Sequence, residues 1–374
     1  MATSMQENIE RNFIKGVLIL LVIADHNDFM RALFKSEFKP LTLHVFGFFF
    51  LAMHSDRSMR GSIRRFFTDR LVRYGVPFLL FYAGYAFMYH MLGMRHGVGT
   101  LPELATDIAA GALIGSFALV KQGAGAAFLW FLPTLFGFVL TSHLFAQLKP
   151  PYRAPAFCVA CIAHLFIGAL PPVASVYSPL GLMVAIYMLP IALLCSRAEQ
   201  YGATRATPFS VSMLLGFASA VTYAYLVAAG ATIEIGTLEV PVLHHNWEVL
   251  IAHDVSVLTG FLFLLSLARQ PLAGTGFLCD VGQHSLLIYL MHPAVFFIVR
   301  ILTESVMPSL VPAGDRSPAI IAFALCSIML TAYLSLCAAR IVSRIPVLRQ
   351  LATPRNADDW LSGAEKLFRR SKFS

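Results

Sequence analysis

The sequence predicts an all-α protein, a polytopic transmembrane helical bundle of about ten spans with both termini in the cytoplasm. Three observations carry that expectation. Of 374 residues, 57% are hydrophobic and only 13% are charged, where soluble domains average about 25% charged; the mean hydropathy is +0.71. Apolar runs recur along the whole chain and leave no stretch for a separate soluble domain. The basic residues fall in clusters between those runs. The formal net charge of +8 therefore follows the positive-inside bias rather than the needs of a nucleic-acid partner.

A bilayer core of roughly 30 Å needs about 20 mostly apolar residues per helix. On that measure the spans are 13–30, 41–55, 75–93, 127–147, 155–172, 177–195, 208–230, 248–268, 284–304 and 317–340. The second is short enough to tilt or lie partly buried. Segment 101–120 carries Glu103 and Asp107 in its first two turns, which favours an interfacial or half-inserted helix over a further span. Connection 56–74 holds Arg57, Arg60, Arg64, Arg65, Arg70 and Arg73, and the tail after 340 is also basic, whereas 231–247 holds Glu234 and Glu239 without Lys or Arg. Placing the basic loops in the cytoplasm puts both termini inside and requires an even number of spans. Loop 31–40, with Arg31, Lys35 and Lys39, runs against that pattern. Residues 1–345 are expected to form one transmembrane domain and 346–374 a basic cytoplasmic tail. The opening MATSMQENIERNF lacks the apolar core and small-residue cleavage site of a signal peptide, so the first helix is expected to insert and stay. Cys158 and Cys161 form a CxxC, but APAFCVACIAHLF reads as a spanning helix with no second pair nearby; packing is expected there, and no metal is predicted.

The ionisable residues at membrane depth form a short list. The first span opens at Lys15 and closes on Asp25, His26 and Asp28. His26 lies eleven positions after Lys15, which in an α-helix is three turns plus about 20° and a rise of roughly 16 Å. Both side chains then share one face, with a cation at the inner mouth and a titratable base deeper in. Lys15 alone also fits a lysine snorkelling to the surface. Three ionisable groups within one turn are costly in lipid and call for a use. Adjacent residues point about 100° apart, so Asp25 cannot share the face of His26. Arg70 and Arg73 stand at i, i+3 before the third span, and on a helix the two guanidiniums would grip phosphate oxygens together; an ordinary positive-inside cluster is the other account. In the ninth span Ser285, Tyr289 and His292 stand at i, i+4 and i+7 on one face, and Pro293 frees a backbone carbonyl there. Trp130 opens the fourth span and His44 the second; the first also fits an aromatic belt. There is no G-x-S-x-G elbow, Walker-type loop, dinucleotide fingerprint or HExxH, which leaves a serine hydrolase or an ATP-driven pump without support.

These pieces, in this order, resemble the acyltransferase-3 family of integral membrane acyltransferases, in particular its sugar O-acetylase, fucose 4-O-acetylase-like branch. The resemblance rests on Lys15 to His26 in the first span, His44 through Phe48 and Phe49 in the second, Arg70 and Arg73 before the third, Trp130–Leu132 opening a middle helix, and Ser285, Tyr289, His292 and Pro293 late in the chain. It spans nearly the whole chain. The second span departs from the pattern, reading Phe46, Ala52 and Met53 where the family carries Pro and Ser-Gly.

The resemblance implies a multi-pass protein of the bacterial inner membrane. It implies transfer of an acyl group, usually acetyl, from cytoplasmic acetyl-CoA to a hydroxyl of a cell-surface or lipid-linked carbohydrate. Lys15, Arg70 and Arg73 would hold the coenzyme's phosphates. A thioester is already activated, so the need is for a base; neutral imidazole suits that near pH 7. His26 would be that base or an acyl relay, Asp25, Asp28 and His292 its catalytic neighbours, and His44, Trp130, Ser285 and Tyr289 the acceptor contacts. The competing account is a secondary transporter or flippase for a sugar-linked substrate, with Asp25, His26 and Asp28 as a proton relay.

Overall fold

The structure, a computed structural model, describes residues 2–38, 41–55, 62–91, 101–124, 127–167, 177–200, 208–233, 247–270, 276–306, 316–354, 356–362 and 365. Among them every regular element is helical, as lipid requires, since only an internal partner can satisfy the backbone there. The order is α1 (Ala2–Asp25), α2 (Asp28–Phe38), α3 (Leu43–Ser55) and α4 (Ile63–Arg70), then a π-helical turn (Leu71–Gly75) leading into α5 (Val76–Met91). There follow α6 (Leu101–Ile114), α7 (Phe117–Ala124), a 3-10 turn (Ala127–Trp130), α8 (Phe131–Gln147) and α9 (Pro150–Ile167). A second 3-10 turn (Pro179–Gly181) opens α10 (Leu182–Gln200), followed by α11 (Phe209–Ala228) and α12 (Trp247–Ala268). The chain closes with α13 (Phe277–Gln283), α14 (Ser285–Val306), α15 (Pro318–Arg344) and α16 (Pro346–Ala352).

The chain divides into two compact units, Met1–Leu51 with Leu194–Ile233 and Asn246–Arg344, and Ala52–Leu193 with Glu234–His245 and Ile345–Ser374. In the first, α1 packs against α12, α13, α14 and α15. Its Ile14, Leu18, Ile19, Val22 and Ile23 are all buried, so the helix that carries the charges is also the core of its unit. The approach of α13 is backbone on backbone: a methyl group at Gly16 would collide with the Leu278 carbonyl, and one at Gly282 with that of Asn12. Small residues serve helix pairs in lipid in this way.

The first span differs from the expected 13–30. α1 stops at Asp25, and Asn27 starts α2 instead. The Asn27 side-chain oxygen accepts from the Met30 N–H at 3.1 Å, as an N-cap does, while its amide donates to Ser327 on α15 at 2.8 Å. The break leaves His26 on the last turn, its N–H still bonded to the Val22 carbonyl at 3.0 Å.

In the second unit, α4, the π turn and α5 run as one helix, Ile63–Met91. Segment 101–120 is no single span: α6 and α7 are separate helices of 14 and 8 residues. Gly115 turns the chain between them at φ +62, a conformation that favours glycine. Tyr82 on α5 reaches both halves, donating towards the carbonyls of Asp107 at 3.4 Å and Leu119 at 3.5 Å. His164 on α9 donates to the Tyr187 carbonyl of α10 at 2.7 Å and stacks on that ring.

Seven helices among the described residues are long and apolar enough to cross a membrane: Ile63–Met91, Phe128–Gln147, Pro179–Ala198, Phe209–Ala228, Trp247–Ala268, Ser285–Ser305 and Pro318–Arg344. The other three expected spans are largely helical over their described residues. Of these, α1 carries Glu10, Arg11, Lys15 and Asp25, α3 has 13 residues, and α9 opens on Pro-Pro-Tyr-Arg. Glu103 and the charged positions Arg57, Arg60, Lys35, Lys39, Glu234 and Glu239 lie outside the residues whose side chains are described.

Candidate active site

The first unit brings His26 and His292 together, with ring centroids 5.4 Å apart and edge to face. Each ring is held by its own helix. The His26 Nδ1 lies 2.8 Å from the Val22 carbonyl, one turn back. A carbonyl oxygen can only accept, so Nδ1 carries the proton and the neutral ring keeps its lone pair on Nε2. His292, buried on α14, places its Nδ1 2.7 Å from the Tyr289 carbonyl. That carbonyl is the one Pro293 deprives of its backbone donor. The Ser-x-x-x-Tyr-x-x-His-Pro run thus has a local logic: proline removes an N–H, the preceding histidine replaces it, and the histidine's tautomer is fixed. The Tyr289 ring stands 6.1 Å from that of His292. Ser285 begins the same helix. Just before it, outside the span, burial and then the Arg340 guanidinium push His284 below the ordinary histidine range, with Asp280 acting the other way.

Asp25 points elsewhere, as the helix geometry requires. Its carboxylate lies 3.8 Å from His44 Nε2 and 3.7 Å from Arg31. His44 is buried at the start of α3, and among the described residues its Nδ1 has no hydrogen-bond partner. Asp28 pairs with Arg300 at 2.6 Å, and Arg300 also holds Glu304 at 2.7 Å. Half-exposed pairs of this kind contribute at most about 1 kcal/mol. Lys15 lies on α1, half-buried.

The second unit holds the arginines. The π turn begins directly after Arg70 and contains Arg73, so the i, i+3 spacing does not give the α-helical register expected of it. The Arg70 guanidinium lies 5.3 Å over the Phe66 ring, and that of Arg73 5.8 Å over Tyr74. Phe66 stacks on His143 with centroids 3.8 Å apart and planes 12° apart. Single-turn π bulges inside helices occur often at functional sites. Trp130 ends its 3-10 turn against Phe117 and Phe131, and its carbonyl accepts from Thr134 at 2.9 Å.

Asn27 as a cap, Arg31 beside Asp25 and His143 were not among the expected site features. The first had a signal, Asn-Asp before an apolar run; His143, inside the run LTSHLF, offers no signal in one sequence.

The acyltransferase-3 family model, described as an acyltransferase domain, matches residues 8–340. No curated protein and no solved structure matches the chain.

Proposed function

We propose a function on one premise: the chain belongs to the acyltransferase-3 family, whose model covers most of its length, and is an integral membrane acyltransferase. It moves an acyl group, acetyl in the first instance, from cytoplasmic acyl-CoA to a hydroxyl of a cell-surface or lipid-linked carbohydrate, in the manner of the sugar O-acetylase branch. Residues 1–345 are the membrane domain, crossing a bacterial inner membrane about ten times with both termini in the cytoplasm, and 346–374 are the cytoplasmic tail.

The observation that carries this function is the 2.8 Å bond from His26 Nδ1 to the Val22 carbonyl. It supports the tautomer that puts the lone pair of the neutral ring on Nε2, the atom with which a general base takes its proton. That base acts on the acceptor hydroxyl as it attacks the acyl carbonyl, and the proton ends on the thiolate that the donor releases. His292, held the same way and in ring contact with His26, keeps the base in place. Asp25 acts through His44 rather than through His26. Asp28, paired with Arg300, drops from the catalytic group. Arg70, Arg73 and Lys15 hold the donor's phosphates; guanidinium forks suit phosphate oxygens. Ser285, Tyr289, His44 and Trp130 remain the acceptor contacts.

The test is direct. Purified in detergent, the protein binds acetyl-CoA and slowly releases free thiol, and Arg70→Ala/Arg73→Ala binds the donor weakly. A wild-type protein that neither binds acetyl-CoA nor releases thiol would overturn the function.

A further inference from the structure

The first unit holds another histidine, with both ring nitrogens committed. His253, in the second turn of α12, is fully buried. Its Nδ1 lies 3.2 Å from Asp254 Oδ1 and its Nε2 2.7 Å from Thr42 Oγ1. A carboxylate accepts, so Nδ1 carries the proton; Nε2 then holds the lone pair, and the Thr42 hydroxyl donates to it. Hydroxyl to imidazole to carboxylate is the arrangement that activates a serine or threonine as a nucleophile.

Thr42 has a more usual task available. It immediately precedes α3, and its carbonyl accepts from the N–H groups of Val45 and Phe46. An N-cap threonine ordinarily has its hydroxyl accept from the N–H of the second or third helical residue, here His44 or Val45; in this structure the hydroxyl goes to His253 on another helix. The position also suits a reaction centre. His44, two residues on, lies 3.8 Å from Asp25, the neighbour of His26. Thr42 itself is only 4% exposed, so an ester formed there is shielded from water.

We propose that Thr42 is an acyl-accepting nucleophile, with His253 as its base and Asp254 as the positioning residue, so that the acyl group rests on Thr42 between donor and acceptor. This rests on the acyltransferase function above. In the first step Thr42 Oγ bonds to the thioester carbonyl carbon, His253 Nε2 takes the hydroxyl proton, and the C–S bond breaks to release the thiolate. In the second, the acceptor hydroxyl attacks the Thr42 ester and gives its proton to His26. The Thr42 C–O bond breaks, and Oγ recovers its proton from His253. The proton on His26 passes to the thiolate. Nothing is oxidised or reduced.

Detergent-solubilised wild type is incubated with acetyl-CoA without acceptor, quenched in acid, digested and weighed by mass spectrometry. The expected result is one acetyl group on the peptide containing Thr42, formed with a matching burst of thiol and stable to neutral hydroxylamine, which strips an acetyl-imidazole. Thr42→Ser keeps the label and Thr42→Val, of the same shape, loses it. Asp254→Asn slows labelling by at least about 10-fold while leaving acetyl-CoA affinity unchanged, a split that loss of packing alone does not produce. Thiol release with Thr42 unlabelled, or Thr42→Val releasing thiol at the wild-type rate, would overturn the relay and leave the acyltransferase standing. A wild type that holds no acetyl-CoA and releases no thiol would remove both.

Discussion

The histidines of the first unit and the arginines of the second hold their functional groups in opposite ways. His26 and His292 are each tied by Nδ1 to a carbonyl of their own helix, at 2.8 and 2.7 Å. The ring, its tautomer and the direction of its lone pair are fixed within one turn. Arg70 and Arg73 lie on long side chains over aromatic faces at 5.3 and 5.8 Å, with Arg70 also hydrogen-bonded to the Tyr74 side chain, on a stretch where the helix loosens to π. A group that takes a proton needs its lone pair aimed before the substrate arrives. A group that holds a polyanion needs charge and donors at roughly the right place. The difference matches a reacting centre on one side and a holding site on the other.

Substitutions sharpen or break that contrast. The largest effect is expected from His26→Ala: a general base contributes about 10²- to 10⁴-fold, so steady-state turnover beyond the first release of thiol falls by that factor at saturating acetyl-CoA while donor affinity holds. Arg70→Ala/Arg73→Ala does the reverse. Hydrogen bonds to charged groups contribute about 1.5–3 kcal/mol each, so calorimetry finds the donor Kd raised at least 10-fold with turnover at saturation near wild type. A loss of turnover there with affinity intact would dissolve the division of labour.

A smaller effect follows from His292→Phe, which leaves the Tyr289 carbonyl buried without its side-chain donor at a cost of about 1–3 kcal/mol. Adding Pro293→Ala returns a backbone N–H to that carbonyl, so His292→Phe/Pro293→Ala is expected to melt above His292→Phe. Equal melting points would mean that the proline does not set the histidine's task. Smallest is Asp28→Ala. Its partner Arg300 keeps Glu304, the pair is half exposed, and such pairs contribute at most about 1 kcal/mol. Activity and melting temperature should both stay close to wild type.

The sequence disclosed what is local and hid what is not. Long apolar runs leave the backbone no choice but helix, so the all-helical fold was readable, as was the face shared by Ser285, Tyr289 and His292. The separation of Asp25 from His26 followed from 100° per residue alone. The end of α1 was misplaced because an apolar run does not announce a cap; Asn27 ends it by bonding Met30 and Ser327 at once, and Ser327 lies 300 residues away. Distance in sequence also hid Arg300 from Asp28 and His253 from Thr42. The π turn has no signature in LVRYG, so the common face expected for Arg70 and Arg73 could not be corrected in advance.

The central claim is that the neutral form of His26 carries its proton on Nδ1 and its lone pair on Nε2. Nitrogen-15 spectra of the solubilised protein with labelled histidine, at mildly alkaline pH, read this directly, with the His26 resonances identified by their loss in His26→Gln. The predicted result is a protonated, hydrogen-bonded Nδ1 and an unprotonated Nε2 at His26. A proton on Nε2 and an unprotonated Nδ1 would contradict the account, because the bond to Val22 would then not exist and no lone pair would stand on Nε2.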